Sequence, residues 1–186
     1  SVANYGTGAF LLHNTGTAQH RIPGLLTSVG WKEGRKPPCF LEEGTVHAAG
    51  GAFDWLRDNL GMIERGADVD ALCRKSRQRL LALMAIGGLG APRWDYVTKT
   101  AFFGLDSRTK APDIVRSVVE GVAFLIADVA DTMRSGGLTL GALVSAVPHV
   151  ASEELQVRGA AVAAPAYQME ALGSAFKDEV RVTMEG

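Results

Sequence analysis

Cysteines, clustered histidines and long apolar runs are scarce in this sequence, and each shortage excludes a class of protein. Only two cysteines, Cys39 and Cys73, occur among 186 residues, whereas a disulfide scaffold holds many in a short chain. The four histidines are scattered, which argues against a metal cluster. The longest apolar stretch, residues 80–91, contains three glycines and is too short to cross a bilayer. We therefore expect reduced thiols, no metal site, a cytoplasmic location and no membrane contact.

An excess of charge and the best-known catalytic motifs are missing as well. The 19 Lys and Arg residues nearly balance the 20 Asp and Glu residues, so no field is expected to attract nucleic acid. The sequence has no GxxxxGK[ST] loop, no GxGxxG before a helix, no HExxH and no GxSxG. The familiar signatures of nucleotide, zinc and serine-hydrolase sites are thus absent.

The sequence does have the composition of an ordinary globular domain. Its 186 residues, 47% hydrophobic and 21% charged, can bury one sizeable core. Short apolar segments bounded by turn residues predict strands at residues 9–12, 25–31 and 39–42, with a turn at 14–17. Because strands are mixed with long helical segments, we expect an α/β layered domain.

Helical periodicity is clearest at residues 112–134. Apolar residues recur there over six turns, a proline suits the first turn and glycines follow the end. The wide apolar face predicts packing against a sheet. Weaker patterns predict helices at 45–59, closed by Gly61 as a cap, at 69–83 and at 170–177.

The segment Gly6-Thr7-Gly8 is the first candidate for chemistry. Glycines let neighbouring backbone amides turn inward together, and a threonine hydroxyl adds a side-chain donor, which is one way to hold phosphate oxygens. A glycine-rich turn of this kind is also the ordinary connection of a hairpin. The residues alone leave both interpretations open.

Two further glycine-rich segments allow more than one role. Gly50 and Gly51 lie in a run of small residues, which would admit a planar adenine or only a tightly packed strand. The loop from Gly87 to Asp95 has three glycines and a proline, which indicates a fixed irregular path. Trp94 could pin this loop into the core, and Asp95 could be catalytic or cap a turn.

Several blocks of the sequence, taken in order, resemble a known family. These blocks are YGTGAFLLHNTG, GLLTSVGW, LEEGTVHAAGGAFDWLRDNLGMI, GGLGAPRWD and the segment from FFGLDSRTK to the end of the long helix. They resemble the C-terminal domain of the FGGY carbohydrate kinases, and most closely that of glycerol kinases, across residues 2–143 with a weaker echo at 165–176. The resemblance implies that residues 1–186 form one ribonuclease-H-like (actin-like ATPase) domain, a mixed sheet flanked by helices, as the C-terminal half of a two-domain kinase.

The resemblance also implies a nucleotide site. By this likeness Gly6, Thr7 and Gly8 contact the phosphates of ATP or ADP bound with Mg²⁺, and Gly50 lies near the adenosine portion. Asp54 stands where glycerol kinases often have Gln, and a carboxylate close to a polyphosphate is repulsive. No residue of this chain is expected to be catalytic or to ligate the metal directly.

Departures from the family pattern are as informative as the matches. The family's catalytic Asp precedes the YGTG segment, and this sequence begins after that point and without Met, as a fragment would. We therefore expect the N-terminal substrate domain, which binds glycerol or another polyol, to be absent. Residues 143–148 lack the glycines of the family's Asp-Gly-Gly motif, residues 143–164 diverge, and the closing helices are shortened.

Three interpretations follow from these patterns. The chain is either the ATP-binding half of a glycerol or polyol kinase, inactive by itself, or a degenerate paralogue that serves as a binding or assembly module. A third, an actin-like hydrolase or chaperone segment, is disfavoured by the WLRD and GLGAP-x-WD blocks. Because half of a two-domain enzyme exposes a face, we also expect a homo-oligomer.

Overall fold

The computed structural model describes residues 1–141 and the backbone of residues 144–146. The described residues contain both strands and helices, as the sequence predicts. The strands are β1 (Val2–Tyr5), β2 (Ala9–Gly16), β3 (Leu26–Trp31), β4 (Cys39–Val46), β5 (Leu81–Leu83), β6 (Ala101–Phe103) and β7 (Val144–Ala146). The helices are α1 (Gly50–Asp58), α2 (Val69–Lys75), which follows a short 3₁₀ turn at Gly66–Asp68, and α3 (Ala111–Ser135).

Five strands form a mixed sheet in the order β3-β4-β2-β1-β7. The pairs β1–β2, β2–β4 and β3–β4 are antiparallel, whereas β7 runs parallel to β1. Strands β5 and β6 form a separate antiparallel pair. This arrangement confirms the predicted mixed sheet flanked by helices.

Helix α3 covers the sheet and supplies much of the core. The apolar residues that its sequence spaces at helical intervals are buried, including Val115, Val118, Val122 and Val129. The helix packs on β2, β4 and β5, and a Cβ atom at Gly121 would lie 2.5 Å from the carbonyl oxygen of Ala82. Burial of this face, rather than intrinsic propensity, explains why a valine-rich segment is helical.

The predicted start of the first helix is wrong. Strand β4 continues through Thr45 to Val46, and α1 begins only at Gly50. Side chains of β4 alternate between buried and partly buried positions as far as Val46, the two-residue period of a strand. A glycine and a threonine in this stretch hide that period in the sequence, because a glycine has no side chain to show which face is apolar.

The predicted helix at residues 69–83 is also wrong beyond Lys75. The chain turns to an extended conformation at Ser76, with φ −58° and ψ 140°, and Leu81–Leu83 pairs with Ala101–Phe103. The strands predicted at 9–12 and 39–42 are longer than expected, and part of the predicted turn at 14–17 belongs to β2. The predicted helix at 170–177 lies outside the described residues.

Neither cysteine forms a disulfide in the structure. Cys73 is buried, and burial raises the pKa of its thiol to about 12. None of the helices in the described part of the chain combines the length and hydropathy that a membrane span requires.

Candidate functional site

The Gly6-Thr7-Gly8 segment is the turn of the β1–β2 hairpin. Tyr5 pairs with Ala9 in the antiparallel ladder, and the amide of Gly6 donates to the carbonyl oxygen of Gly8 at 2.8 Å. Thr7 stands exposed at the tip of the turn. The local geometry is therefore a hairpin, one of the two possibilities that the sequence left open.

This hairpin turn docks onto the first residues of helix α1. The amides of Ala49 and Gly51 both donate to the carbonyl oxygen of Thr7 at 2.9 Å, and the amide of Gly50 donates to that of Gly6 at 2.9 Å. A helix begins with amides that lack partners inside the helix, and α1 has no side-chain cap to serve them. The turn itself is thus the cap of α1.

Glycines make this close docking possible. A Cβ atom at Gly50 would lie 2.5 Å from the carbonyl oxygen of Gly6, and one at Gly8 would lie 2.7 Å from that of Val46. Real Cβ atoms do not approach backbone oxygens so closely. Tight packing of strand turn against helix therefore explains Gly8 and Gly50 without any ligand.

The exposed side of the same turn carries donors without partners. Within residues 1–141, no hydrogen bond engages the amides of Thr7 and Gly8 or the hydroxyl of Thr7. The positive end of the α1 dipole lies beside them. Three unpartnered donors at a helix N-terminus can accept the oxygens of a phosphate group.

Asp54 lies on α1 one turn after Gly50 and is exposed. Its Oδ1 atom is 3.0 Å from Nη2 of Arg57. Arg57 also binds Asp58 at 2.7 Å, and the hydrogen bond with Asp58, more than the contact with Asp54, raises the pKa of the guanidinium. The charge of Asp54 is therefore partly offset by a neighbour, although exposed pairs of this kind are weak.

The Gly87–Asp95 loop lies beside the end of β4, a proximity that the sequence did not predict. The amide of Ala91 donates to the carbonyl oxygen of Thr45 at 2.9 Å, and Nδ1 of His47 is 3.1 Å from the carbonyl oxygen of Gly87. The ring of His47 stacks on Tyr96 with centroids 5.3 Å apart. The glycines marked this loop as irregular, but no signal in the sequence indicated that it meets the end of β4.

Trp94 and Asp95 have structural roles in this loop. The indole nitrogen of Trp94 donates to the carbonyl oxygen of Gly24 at 2.8 Å, which confirms that Trp94 pins the loop. Asp95 accepts hydrogen bonds from the amides of Val97 and Thr98 and from the Thr98 hydroxyl. These bonds, the hydroxyl foremost, hold the pKa of Asp95 below its usual value and confirm the turn-capping interpretation.

The fold identifies the class of protein to which this chain is similar. A structure of Plasmodium falciparum glycerol kinase with ADP superposes on 99% of this chain and 35% of that one, with a TM-score of 0.77 at 24% identity. The fold is thus the actin-like ATPase fold found in the C-terminal half of such kinases. The family model described as the FGGY family of carbohydrate kinases, C-terminal domain, matches residues 1–184. The chain belongs to the FGGY family of carbohydrate kinases.

Glycerol kinases are among its relatives in sequence. The chain is 41% identical to glycerol kinase of Myxococcus xanthus over 138 residues, which cover 72% of this chain and 28% of that protein. It is 39% identical to glycerol kinase of Lactococcus lactis over 133 residues, which cover 70% of this chain and 26% of that protein. The chain therefore spans little more than a quarter of the length of these curated relatives.

Proposed function

We propose that this chain forms the ATP-binding part of a kinase that transfers a phosphoryl group to glycerol or another polyol. Membership of the FGGY family and the identities of 39% and 41% to glycerol kinases support this class of reaction. The fold is also that of a glycerol kinase whose structure contains ADP. These similarities support a nucleotide as the ligand of the described residues.

The observation that carries the proposal is the set of unpartnered donors on the Gly6–Gly8 turn. The Thr7 hydroxyl and the amides of Thr7 and Gly8 would hold phosphate oxygens, and docking of the turn on α1 keeps these donors fixed before the ligand arrives. Gly50, at the start of α1, would face the adenosine side. Mg-ATP, when bound, supplies the phosphoryl group and charge neutralisation.

Asp54 is the one residue of the proposed site whose charge disfavours nucleotide binding. A carboxylate near the nucleotide opposes polyphosphate binding, and the contact with Arg57 at 3.0 Å offsets part of that repulsion. No three His, Cys, Asp or Glu side chains converge on a metal position among the residues described. The proposal therefore assigns no Mg²⁺ ligand to these residues.

Substrate binding and proton abstraction belong, in this proposal, to a part of the enzyme outside this chain. The chain matches little more than a quarter of its glycerol kinase relatives, and the proposal places the family's catalytic Asp outside the matched residues. We expect this chain alone to bind nucleotide without phosphorylating glycerol. The cytoplasmic location and homo-oligomeric state inferred from the sequence stay predictions.

A degenerate binding module is the second candidate, and one observation favours it. Strand β7, Val144–Ala146, pairs in parallel with β1, yet the sequence from Leu143 to Pro148 has no glycine where the family has Asp-Gly-Gly. A proline and β-branched residues cannot allow the same close approach of a ligand to the backbone. A chain that keeps the strand but not the motif could keep the fold without the nucleotide.

Titration with Mg-ADP separates the two candidates. A ligand that binds only the folded state raises stability by about 2.7 kcal/mol at 100 times its Kd, so the melting temperature of the wild-type chain should rise. Thr7→Val should weaken binding about tenfold, the loss of one hydrogen bond to a charged group, whereas Thr7→Ser should bind as the wild type does.

Three results would contradict the proposal or a part of it. No shift of the wild-type melting temperature at millimolar nucleotide would favour the degenerate module. Equal affinity of the Thr7→Val variant and the wild type would remove Thr7 from the site. Turnover of glycerol by the isolated chain would show that a catalytic base lies within it.

A further inference from the structure

A concave site opens at the N-terminal end of helix α3. It has a volume of about 370 Å³ and lies where the end of α2 meets the loop that precedes α3. Four cationic side chains line it, from Lys75, Arg77, Arg108 and Lys110. None of the proposed nucleotide-binding residues lines this cavity, so the proposed function does not account for it.

Most of these cations lack a counter-charge in the described part of the chain. Arg108 pairs with Asp106 at 2.7 Å, but no carboxylate among those residues forms an ion pair with Lys75, Arg77 or Lys110. Like charges that converge around one partly enclosed space repel one another, and the repulsion is stronger there than in open water. A bound anion would relieve this repulsion.

The single carboxylate that lines the cavity is occupied in building its wall. Asp113 is buried, and its Oδ1 accepts hydrogen bonds from the Ser76 hydroxyl at 2.9 Å and from the amides of Arg77 at 2.7 Å and Gln78 at 2.9 Å. Its Oδ2 accepts from the amide of Lys110 at 3.0 Å. These four bonds fix the backbone positions from which the side chains of Arg77 and Lys110 reach the cavity. The lining has four cationic side chains and one carboxylate, so its net charge is positive.

Gln78 also lines the cavity, and its side-chain amide contains a hydrogen-bond acceptor as well as donors. Its Nε2 donates to Asp106 at 2.9 Å, whereas its Oε1 is buried and accepts no hydrogen bond from any described residue. This oxygen is enclosed by the protein, so the cationic side chains, rather than Gln78, set the ligand chemistry of the cavity. The lining therefore suits a ligand that carries a negative charge.

We propose that this cavity binds the phosphate group of a small phosphorylated molecule. Lysine and arginine together provide the point charges and the planar forks with which proteins hold phosphate oxygens. The volume of about 370 Å³ is at the small end of ligand pockets, which span roughly 300 to 1,000 Å³. The geometry thus selects a small phosphate ester or free phosphate.

Inorganic phosphate is the probe for the first test. The melting temperature of the chain is measured against phosphate concentration, with chloride added to hold the ionic strength constant. The wild type should be stabilised in a saturable way. The double variant Arg77→Gln, Lys110→Gln should lose at least tenfold in apparent affinity, because two of the four cations are gone. Circular dichroism in the absence of phosphate checks that the double variant folds. The single variant Lys75→Gln is an independent test and should lose less affinity for phosphate.

The control is a double variant with the same change of charge elsewhere. Lys32→Gln, Arg35→Gln lies in the exposed β3–β4 connection and should keep the wild-type response to phosphate. The proposal is wrong if phosphate stabilises the wild type no more than chloride does. It is equally wrong if the cavity variants respond as the wild type does, since the phosphate would then bind elsewhere, as on the Gly6–Gly8 turn.

Discussion

At the scale of single residues, Gly50 allows helix α1 to pack closely against the Gly6–Gly8 turn, and this role can be tested apart from nucleotide binding. A Cβ atom there would lie 2.5 Å from the carbonyl oxygen of Gly6, a backbone atom that cannot swing aside. Gly50→Ala should lower the free energy of unfolding in urea by about 1 to 3 kcal/mol, as overpacking does. Gly66→Ala is the control, since no atom lies within 4 Å of the place its added methyl group would take. Equal stability of both variants would contradict the docking argument.

The sequence predicted which glycines matter here but not what approaches them. The run of small residues around Gly50 indicated a close contact, and the structure supplies the partner, the carbonyl oxygen of Gly6. At Gly90 the sequence predicted only an irregular loop, and the structure shows that a Cβ atom there would overlap the carbonyl oxygen of Thr45. A glycine shows only that space is short, because the partner is set by tertiary packing far away in the chain.

At the scale of elements, local patterns predicted the kinds of structure better than their limits. Helix α3 was predicted from the spacing of its own apolar residues, because one face of the helix is buried over its whole length. The segment after Lys75 was not predicted correctly from its own sequence. The end of α2 depends on the side chain of Asp113, which accepts hydrogen bonds from Ser76, Arg77 and Gln78. No window around residue 75 contains that information. The hairpin turn and α1 were likewise predicted separately, and only the fold joined them.

Asp113 therefore ties the end of α2 to the start of α3, and its charge makes this link depend on pH. Hydrogen bonds, foremost that from the Gln78 amide, hold the pKa of Asp113 far below its usual value. Asp113→Asn should cost about 1 to 3 kcal/mol of unfolding free energy at pH 7, because the amide serves fewer of these donors. Asp131→Asn, at an exposed ion pair with Arg134, should change stability by less than about 0.5 kcal/mol.

The sign of the pH dependence follows from the lowered pKa. A carboxyl whose folded pKa lies below its unfolded value of about 3.9 contributes its full stability above that value. The contribution is lost as the pH falls toward the folded pKa. The difference between the wild type and Asp113→Asn should thus be constant from about pH 7 to about pH 5 and narrow below about pH 4. A difference that stays constant down to about pH 3, or widens there, would contradict this account of Asp113.

At the scale of the whole molecule, β3 is an edge strand with no further strand beside it among the described residues, and it could pair with a second copy. Strand β3 is the outermost strand of the five, and Val29 and Trp31 on it are 59% and 54% exposed. Unprotected apolar edge strands promote association with other chains. We expect sedimentation at rising concentration to show self-association, which Val29→Lys should reduce, because a charge on an edge strand blocks pairing.

A matched substitution tests whether the sheet edge, rather than exposed apolar area in general, drives this association. Val97 is 82% exposed but lies in the loop before β6 and belongs to no strand. Val97→Lys makes the same chemical change and should leave the sedimentation behaviour as in the wild type. A monomer at all concentrations would exclude association through β3. Dissociation by Val97→Lys but not by Val29→Lys would move the interface to the loop, where no backbone pairing could specify its geometry.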